Sequence, residues 1–436
     1  MAVSAELVCR DHIRRRAAIM PAETIVSELM KIIQEEITES AREDLSGKEQ
    51  RALKIGRLAA QMSLSEMLDS DGDEPVVVGC ICGDVARGKE RESRSVVTLA
   101  GTQKIVRRKY HCRSCGTWVV PRDKALGIGR GNYSAGVVAL SSEVAAGFPF
   151  EASEDFLSRR FGLDLSYKQV QRLSERTGEL VARKEREESA RVAVDKAEVV
   201  TDEMPSVLTI SADGLMVHCD GAWSEMKCGA VISEEHGRST IATMERTEGF
   251  GELLYLEARR RGLENAREVV FVADGAAWIW KLVSHHFDKA VEIVDWYHAT
   301  QHLWEVANCW YGEGTKKAKA WVKANKARLM EDGVDRVISS IKQWKPINED
   351  AENTKRENLH YFTVNAHRML YATFQLNDFY IGSGSVESAC KQYGQGRLKG
   401  AGMRWKTEGI EAIAHLRSAV LNRRTRNILE GASIAA

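Results

Sequence analysis

Four carboxylates in the second half of the chain stand where they could do chemistry. Asp213 closes the β-branched, apolar run Val207-Leu-Thr-Ile-Ser-Ala212 and is followed at once by Gly214, and Asp274 closes Val269-Val-Phe-Val-Ala273 and is followed by Gly275. Asp295 ends Val291-Glu-Ile-Val294 and opens the run Asp295-Trp-Tyr-His298, and Glu387 follows Gly382-Ser-Gly-Ser-Val386. Magnesium takes oxygen ligands in near-octahedral geometry and keeps several waters, so a few acids can hold one or two ions and leave positions open for phosphate. A pair of such ions, Mg2+ or Mn2+, activates an attacking oxygen and stabilises the leaving oxygen of a phosphodiester. Either Asp-Gly alone also reads as a strand-end turn. Their joint recurrence, with Glu387 following, is what points to a site.

The elements that must position these acids are legible in the same stretch. Val207 to Ala212, opened by Pro205, reads as a buried strand. Leu215 to His218 is expected to return antiparallel as a second strand, and Met226 to Ile232, with Gly229 at its centre, to add a third. A helix from Glu252 to Arg261, the strand ending at Asp274, a helix from Ala276 to Phe287 and the strand ending at Asp295 complete the series. Three strands, a helix, a strand, a helix and a strand is the order of the ribonuclease H-like fold. There the first and fourth strands carry two aspartates at adjacent ends, and a helix after the fifth brings a third carboxylate. Glu387 fits that third place, because glycine and serine open a helix and the glutamate lies in its first turn. The residues between His298 and Gly382 exceed what the fold needs. They read as helices over Lys316–Met330, Val334–Trp344 and Lys355–Tyr371, an all-helical insertion whose lysines, with Arg356 and Arg368, could track phosphates.

Several strings carry a resemblance: Ala212-Asp-Gly-Leu-Met-Val217, Gly221-Ala-Trp-Ser-Glu-Met-Lys227, Ala273-Asp-Gly-Ala-Ala-Trp-Ile-Trp280, Asp295-Trp-Tyr-His298 and Ile381-Gly-Ser-Gly-Ser-Val-Glu387. Together with the basic, glycine-containing Arg397-Leu-Lys-Gly-Ala-Gly-Met-Arg-Trp405, they resemble the DDE transposases of bacterial insertion sequences, in particular the Kra-type family. The resemblance spans Glu74 to Arg424. It implies a magnesium-dependent enzyme of DNA transposition and recombination with Asp213, Asp274 and Glu387 as its triad and two Mg2+ per active site. Asp295 and His298 match the Asp-x-x-His signature shared with Mutator-like transposases, which lies close to the active site. The implied partner is double-stranded DNA, both the element's terminal inverted repeats and the target, bound by a homodimer or higher oligomer. The implied place is the bacterial cytoplasm, nucleoid-associated when on DNA. A domesticated, non-catalytic DNA-binding protein and a structure-selective nuclease of the same fold are the other readings.

Lysine plus arginine equals aspartate plus glutamate at 62 each over 436 residues, so affinity for nucleic acid must come from local patches. The strongest runs from Lys391 to Arg426, where Lys391, Arg397, Lys399, Arg404, Lys406, Arg417, Arg423, Arg424 and Arg426 face only Glu408 and Glu411. It begins one helical turn beyond Glu387, so Lys391, Arg397, Lys399, Arg404 and Lys406 are candidate DNA contacts. Trp278, Trp280 and Trp296 flank the acids and read as core. No run approaches the roughly 18 apolar residues of a membrane span, and Met1 to Met20 is charged throughout, without the apolar core of a signal peptide. A soluble, intracellular protein is expected. No phosphate-binding P-loop is present, so no nucleotide cofactor is expected.

Two of the cysteine groupings are paired: Cys80-Ile-Cys82-Gly83 and Cys112-Arg-Ser-Cys115-Gly116. Four thiolates so arranged suit a tetrahedral structural zinc in a ribbon. The first pair has one intervening residue where such knuckles have two. This leaves three arrangements open: Cys80 and Cys82 bind with altered geometry, His111 substitutes for one of them, or the site has decayed. Arg107, Arg108, Lys109 and Arg113 surround it as a basic surface. Cys9, Cys219, Cys228, Cys309 and Cys390 form no constellation. Helical stretches Ser134–Gly147 and Ala152–Phe161, a turn at Gly162 to Ser166 and a helix from Tyr167 to Leu180 resemble a helix-turn-helix. Lys168, Gln169, Gln171 and Arg172 lie on its exposed side.

The expected organisation is α/β: a helical arm (1–73), a zinc-ribbon-like module (74–122), a helix-turn-helix-like region (123–181) and a charged linker (182–204). A ribonuclease H-like core follows in two parts (205–298 and 381–430), split by the helical insertion (299–380).

Overall fold

Two separate stretches of the chain each make their own sheet, the first alternating between buried and exposed positions and the second built on runs of buried residues, in the computed structural model, which describes residues 22–69, 74–129 and 131–435. The protein is mixed α/β and divides into two compact units. Residues 1–21, with Cys9, and 70–73 of the expected arm lie outside the described residues. Among the described residues no helix is long and apolar enough to cross a membrane.

In the first unit, helices α1 (Ala22–Glu39) and α2 (Leu45–Asp69) lie either side of a 3-10 turn, and Arg51 ties them by bonding Glu36, Glu39 and Glu43. An antiparallel sheet follows in the order β1 (Val77–Gly79), β2 (Val85–Thr98), β3 (Gly101–Cys112), β4 (Trp118–Val119). The long β2–β3 hairpin is cross-braced at one face: Asp123, in the short helix α3 (Pro121–Ala125), accepts from both Arg94 and Arg107. Arg107 also pairs with Glu92, as does Lys109, so these two cations are neutralised within the module and the basic surface expected there is smaller than its count. Helices α4 (Ala135–Gly147), α5 (Phe150–Phe161) and α6 (Tyr167–Val194) come next.

Helix α6 occupies the first part of the expected charged linker. It runs on to Val194, and Val181, Ala182 and Val192 are buried, so the charge density of 182–194 is the wet face of a helix with one buried stripe.

The second unit is built on a five-stranded sheet in the order β7-β6-β5-β8-β9, comprising β5 (Val207–Cys219), β6 (Ala222–Ser233), β7 (Gly237–Thr243), β8 (Glu268–Ala273) and β9 (Val291–Val294). The first three form an antiparallel meander, and β8 and β9 join parallel to β5. The expected break at Asp213-Gly214 does not occur. Leu215 to His218 continues β5, and the turn comes at Asp220-Gly221, both in the left-handed region as a two-residue hairpin requires. Gly214 serves close approach instead of turning: a Cβ there would lie 2.2 Å from the Glu225 carboxylate.

Helices α7 (Thr247–Arg260) and α8 (Ala277–His286) are the crossovers that parallel pairing demands. After β9 come α9 (Trp296–Tyr311), α10 (Lys316–Leu329), α11 (Val334–Lys342), α12 (Glu349–Val364) and α13 (Tyr371–Leu376), then α14 (Gly384–Tyr393), a π turn at Gly394–Leu398, and α15 (Thr407–Leu421). One apolar core runs unbroken from Leu208 and Val270 in the strands to Val337, Phe362 and Phe374 in the inserted helices. The insertion is therefore packed on the sheet.

Candidate functional site

Parallel pairing sets the acids side by side. Ser211 pairs with Val272, and Ala273 with Val294. Carried two residues and one residue onward, this register puts Asp213, Asp274 and Asp295 abreast on three neighbouring strands about 4.8 Å apart. In-register positions share a face, so the first two carboxylates are near neighbours. Burial raises the Asp213 carboxyl above the usual range, and the charge of Asp274 adds to the effect, while the Gly214 amide, His298 and Cys390 oppose it. Asp213 accepts from the Gly214 amide at 2.7 Å and from the Cys390 thiol at 3.7 Å.

Asp274 is fixed from two sides. Its carboxylate accepts from the Ala276 amide at 2.8 Å, and its carbonyl accepts from the Tyr361 hydroxyl of α12 at 3.0 Å. Burial keeps Tyr361 a phenol, with Asp274 and Asp295 nearby adding to that effect.

Asp295 has a different task from its neighbours. It is fully buried, and both oxygens are occupied: one caps α9 by accepting from the His298 amide at 2.8 Å, the other accepts from the Ser383 amide. It thus ties the start of α9 to the loop that opens α14. His298 lies half-buried in the first turn of α9, within electrostatic reach of Asp213.

Helix α14 lies across β5, held by Ser385 facing Ser211 at 3.3 Å and by Cys390 on Asp213. Glu387 stands in its first turn, half-exposed, with Lys391 one turn on at 3.7 Å. The structure thus brings Asp213, Asp274, Asp295 and His298 to one end of the sheet, with the helix of Glu387 packed over it. The carboxylates are not gathered as tightly as the thiolates. Among the described residues, the four cysteines are the only set of three or more potential metal ligands within 4.8 Å of one another.

That set could bind a metal such as zinc. Cys80 and Cys115 are 3.5 Å apart and Cys82 and Cys112 3.7 Å, close to the roughly 3.8 Å between sulfurs that a tetrahedral ion with 2.3 Å bonds imposes. The short Cys80-Ile-Cys82 pair closes by pointing Ile81 into solvent, where it is 91% exposed, while Gly83, at positive φ, donates its amide to the Cys80 carbonyl. His111 stays out of the set and packs on Trp118. Hydrogen bonds from Thr117 hold the Cys115 thiol down at about 6. Cys82 is pulled down by the Asp84 amide, yet its neighbouring thiols prevail and push it up to about 12. Four such groups lose all their protons together only with a cation between them.

The candidate DNA contacts divide. Lys168 and Arg172 of α6 are exposed, whereas Gln169 caps the helix by accepting from the Ser166 amide and donates to Tyr133 at 2.6 Å. Lys391, Lys399, Arg404 and Lys406 are exposed. Arg397 is not: it is 2% exposed, sandwiched between Phe150 and Trp405, and donates to the Ala145 carbonyl. Arg417 donates to two backbone carbonyls and Arg424 pairs with buried Glu257, so three of the nine cations counted in this segment belong to the interior. Trp223, part of the string Gly221-Ala-Trp-Ser-Glu-Met-Lys227 but given no role there, stands 62% exposed beside Lys399. A family model described as Uncharacterised protein family (UPF0236) matches residues 87–430, most of the chain. No curated protein matches it.

Proposed function

This chain belongs to the uncharacterised protein family UPF0236, and we propose that it is a DDE-type DNA transposase with a ribonuclease H-like core. One observation carries the reading: Asp213 on β5 and Asp274, the residue after β8, come side by side when the parallel Ser211–Val272 register is carried two residues on, and the helix that bears Glu387 packs across β5 through Ser385 and Cys390. The sheet order β7-β6-β5-β8-β9, with an antiparallel meander and two parallel additions, supports that reading of the fold.

The donors suit magnesium or manganese, two ions per site. They are oxygens only, and burial, with the nearby charge of Asp274 adding to it, raises the Asp213 carboxyl, a cost that a divalent cation would offset. When bound, such ions activate the attacking oxygen and stabilise the leaving oxygen of a phosphodiester. Asp213 and Asp274 would hold the ions and Glu387 would complete the set. Asp295 acts as a positioning residue, because its oxygens are committed to the amides that align α9 and α14. His298 orients or steadies Asp213. The reaction is hydrolysis at the element's end, then attack of the freed 3′-hydroxyl on target DNA. The four-cysteine module and the exposed Lys168 and Arg172 are assigned to binding the element's double-stranded ends. Synapsis of two ends calls for a dimer or larger assembly.

The test is magnesium-dependent cleavage and joining of a labelled duplex carrying the element's terminal sequence. Asp213→Ala, Asp274→Ala and Glu387→Gln should each abolish both reactions and retain end binding. Full activity in any one refutes that residue's role. Binding without cutting by the unaltered protein, in any divalent metal, moves the non-catalytic reading ahead.

A further inference from the structure

The β5–β6 hairpin projects beyond the core, and its surface is unusual. Trp223 is 62% exposed and Met216 46% exposed, although large apolar side chains elsewhere in this sheet are buried or half-buried. Lys399 stands 5.7 Å from the Trp223 ring centroid. It opens the exposed loop Lys399-Gly-Ala-Gly-Met-Arg404, with Lys406 just beyond.

That loop is fastened to the hairpin. Trp405 Nε1 donates to the Leu398 carbonyl at 3.0 Å and closes the base of the loop. The Asp220 amide donates to the Trp405 carbonyl at 2.9 Å, and the Asp220 carboxylate accepts from the Thr407 amide and hydroxyl at 3.1 and 2.6 Å. Beneath, Trp405 packs on the buried Arg397 guanidinium. An exposed indole is therefore held at a fixed place next to three exposed cations and a loop with Gly400 and Gly402, the latter at positive φ.

We infer that Trp223 and the Lys399–Lys406 loop form a stacking and phosphate-holding surface for unpaired DNA. The chemistry commits the occupant: a flat ring takes the face of a base and three cations take the backbone. Duplex DNA hides its base faces, so an indole gains little from it. His218, which pairs with Trp223, lies five residues along β5 from Asp213, about 17 Å at strand rise. This is about five nucleotide steps, so the strand held here is one that flanks the reacting phosphate. The inference rests on the proposed function and assigns a strand-holding surface to it.

The test is fluorescence anisotropy without divalent metal, using a labelled oligothymidylate of about 20 nucleotides and an abasic oligonucleotide of equal length. Trp223→Ala should weaken binding of oligothymidylate by about tenfold, within the range for one lost stack, and Trp223→Phe much less. On the abasic strand all three proteins should bind alike, because there only the cations act. Trp223→Ala within twofold of wild type on oligothymidylate overturns the inference and leaves the transposase reading standing. An equal loss on both strands also overturns it, because the effect is then not stacking. Failure of the wild-type protein to bind any DNA, single-stranded or duplex, overturns both. Trp223→Phe, which keeps a ring at an exposed position, guards against a folding defect.

Discussion

Replacing His415 should flatten the protein's stability against pH in the alkaline range. His415, in α15, is 2% exposed and lies between Glu185 of α6 at 2.5 Å and Glu411 of its own helix at 3.2 Å. Around this trio Arg186 pairs with Glu411 and Glu245, and Arg424 with Glu257 and Glu185, while Arg260 bonds Glu188 and Glu257. Burial alone would push the imidazole down, but its two carboxylates overcome that and raise it from 6.5 to about 9. A histidine raised on folding contributes stability that is fully present below 6.5 and is lost as pH climbs through 9. By linkage that difference is about 3 kcal/mol. Glu411, held down at about 2 by His415 despite burial, reports the same attraction from the other partner, so it is not added. Its own sign is opposite: its contribution is present above 4.5 and fades as pH falls towards 2. This pair is therefore worth most between pH 4.5 and 6.5. Urea unfolding at pH 6, 7.5 and 9 should show a progressive fall for wild type. His415→Gln, which leaves Glu185 and Glu411 without their shared cation, should be less stable by roughly 3 kcal/mol at pH 6 and nearly level thereafter. A wild-type midpoint that does not move between pH 6 and 9, or a variant that keeps the wild-type slope, refutes the reasoning.

Purified protein should carry one equivalent of zinc, and Cys82→Ser or Cys112→Ser should release it and unfold the first unit's sheet, read by metal analysis and limited proteolysis between residues 74 and 122; zinc well below one equivalent in wild type counts against the site. Tyr361→Phe removes the hydroxyl that fixes the Asp274 carbonyl. It should cost about 1 kcal/mol of stability and raise the magnesium concentration needed for half-maximal cleavage, with little change in DNA binding; an unchanged metal requirement would limit Tyr361 to packing.

What the sequence made legible was the order of elements, because near-continuous apolar runs mark buried parallel strands and helical periodicity marks their crossovers. The same signal placed Asp213, Asp274 and Asp295 at the ends of neighbouring strands of the second unit. Its errors have local causes. Asp-Gly is a turn signal, yet Asp213 satisfies the Gly214 amide with its own carboxylate while the strand runs on, and Glu225 occupies the space a side chain at Gly214 would need. Charge density made 182–204 look like a linker because one-dimensional counting does not resolve the buried stripe of Val181, Glu185 and Val192. Arg397 counted as surface because a guanidinium sandwiched by Phe150 and Trp405 depends on partners far away in the chain. The exposure of Trp223 was not legible because nothing local says how far a hairpin tip stands from the core. The role of Asp295 was recoverable, since an acid followed three residues later by a helix's orphan amide is an N-cap.

The helical insertion bears on whether the acid cluster can exist without it. β9 has four residues and sits at the sheet edge, with β8 as its single neighbour, so its pairing alone holds it weakly. The insertion supplies what pairing does not. The Tyr371 hydroxyl donates to the Val294 carbonyl, Arg368 pairs with Glu292 and lies 4.3 Å from the Trp280 ring centroid, and Tyr361 holds the Asp274 carbonyl. Gly275 lets the tyrosine approach, because a Cβ there would lie 2.8 Å from its ring. Apart from the Trp280 contact, which is to α8, these contacts fall on β9 or on Asp274 itself. Removing the insertion and joining α9 to α14 by a short linker would therefore withdraw the support of two of the three aspartates, even though no residue proposed as a ligand had been touched. The insertion and the acid cluster are one cooperative structure, and the register that aligns the carboxylates is maintained from the helical side.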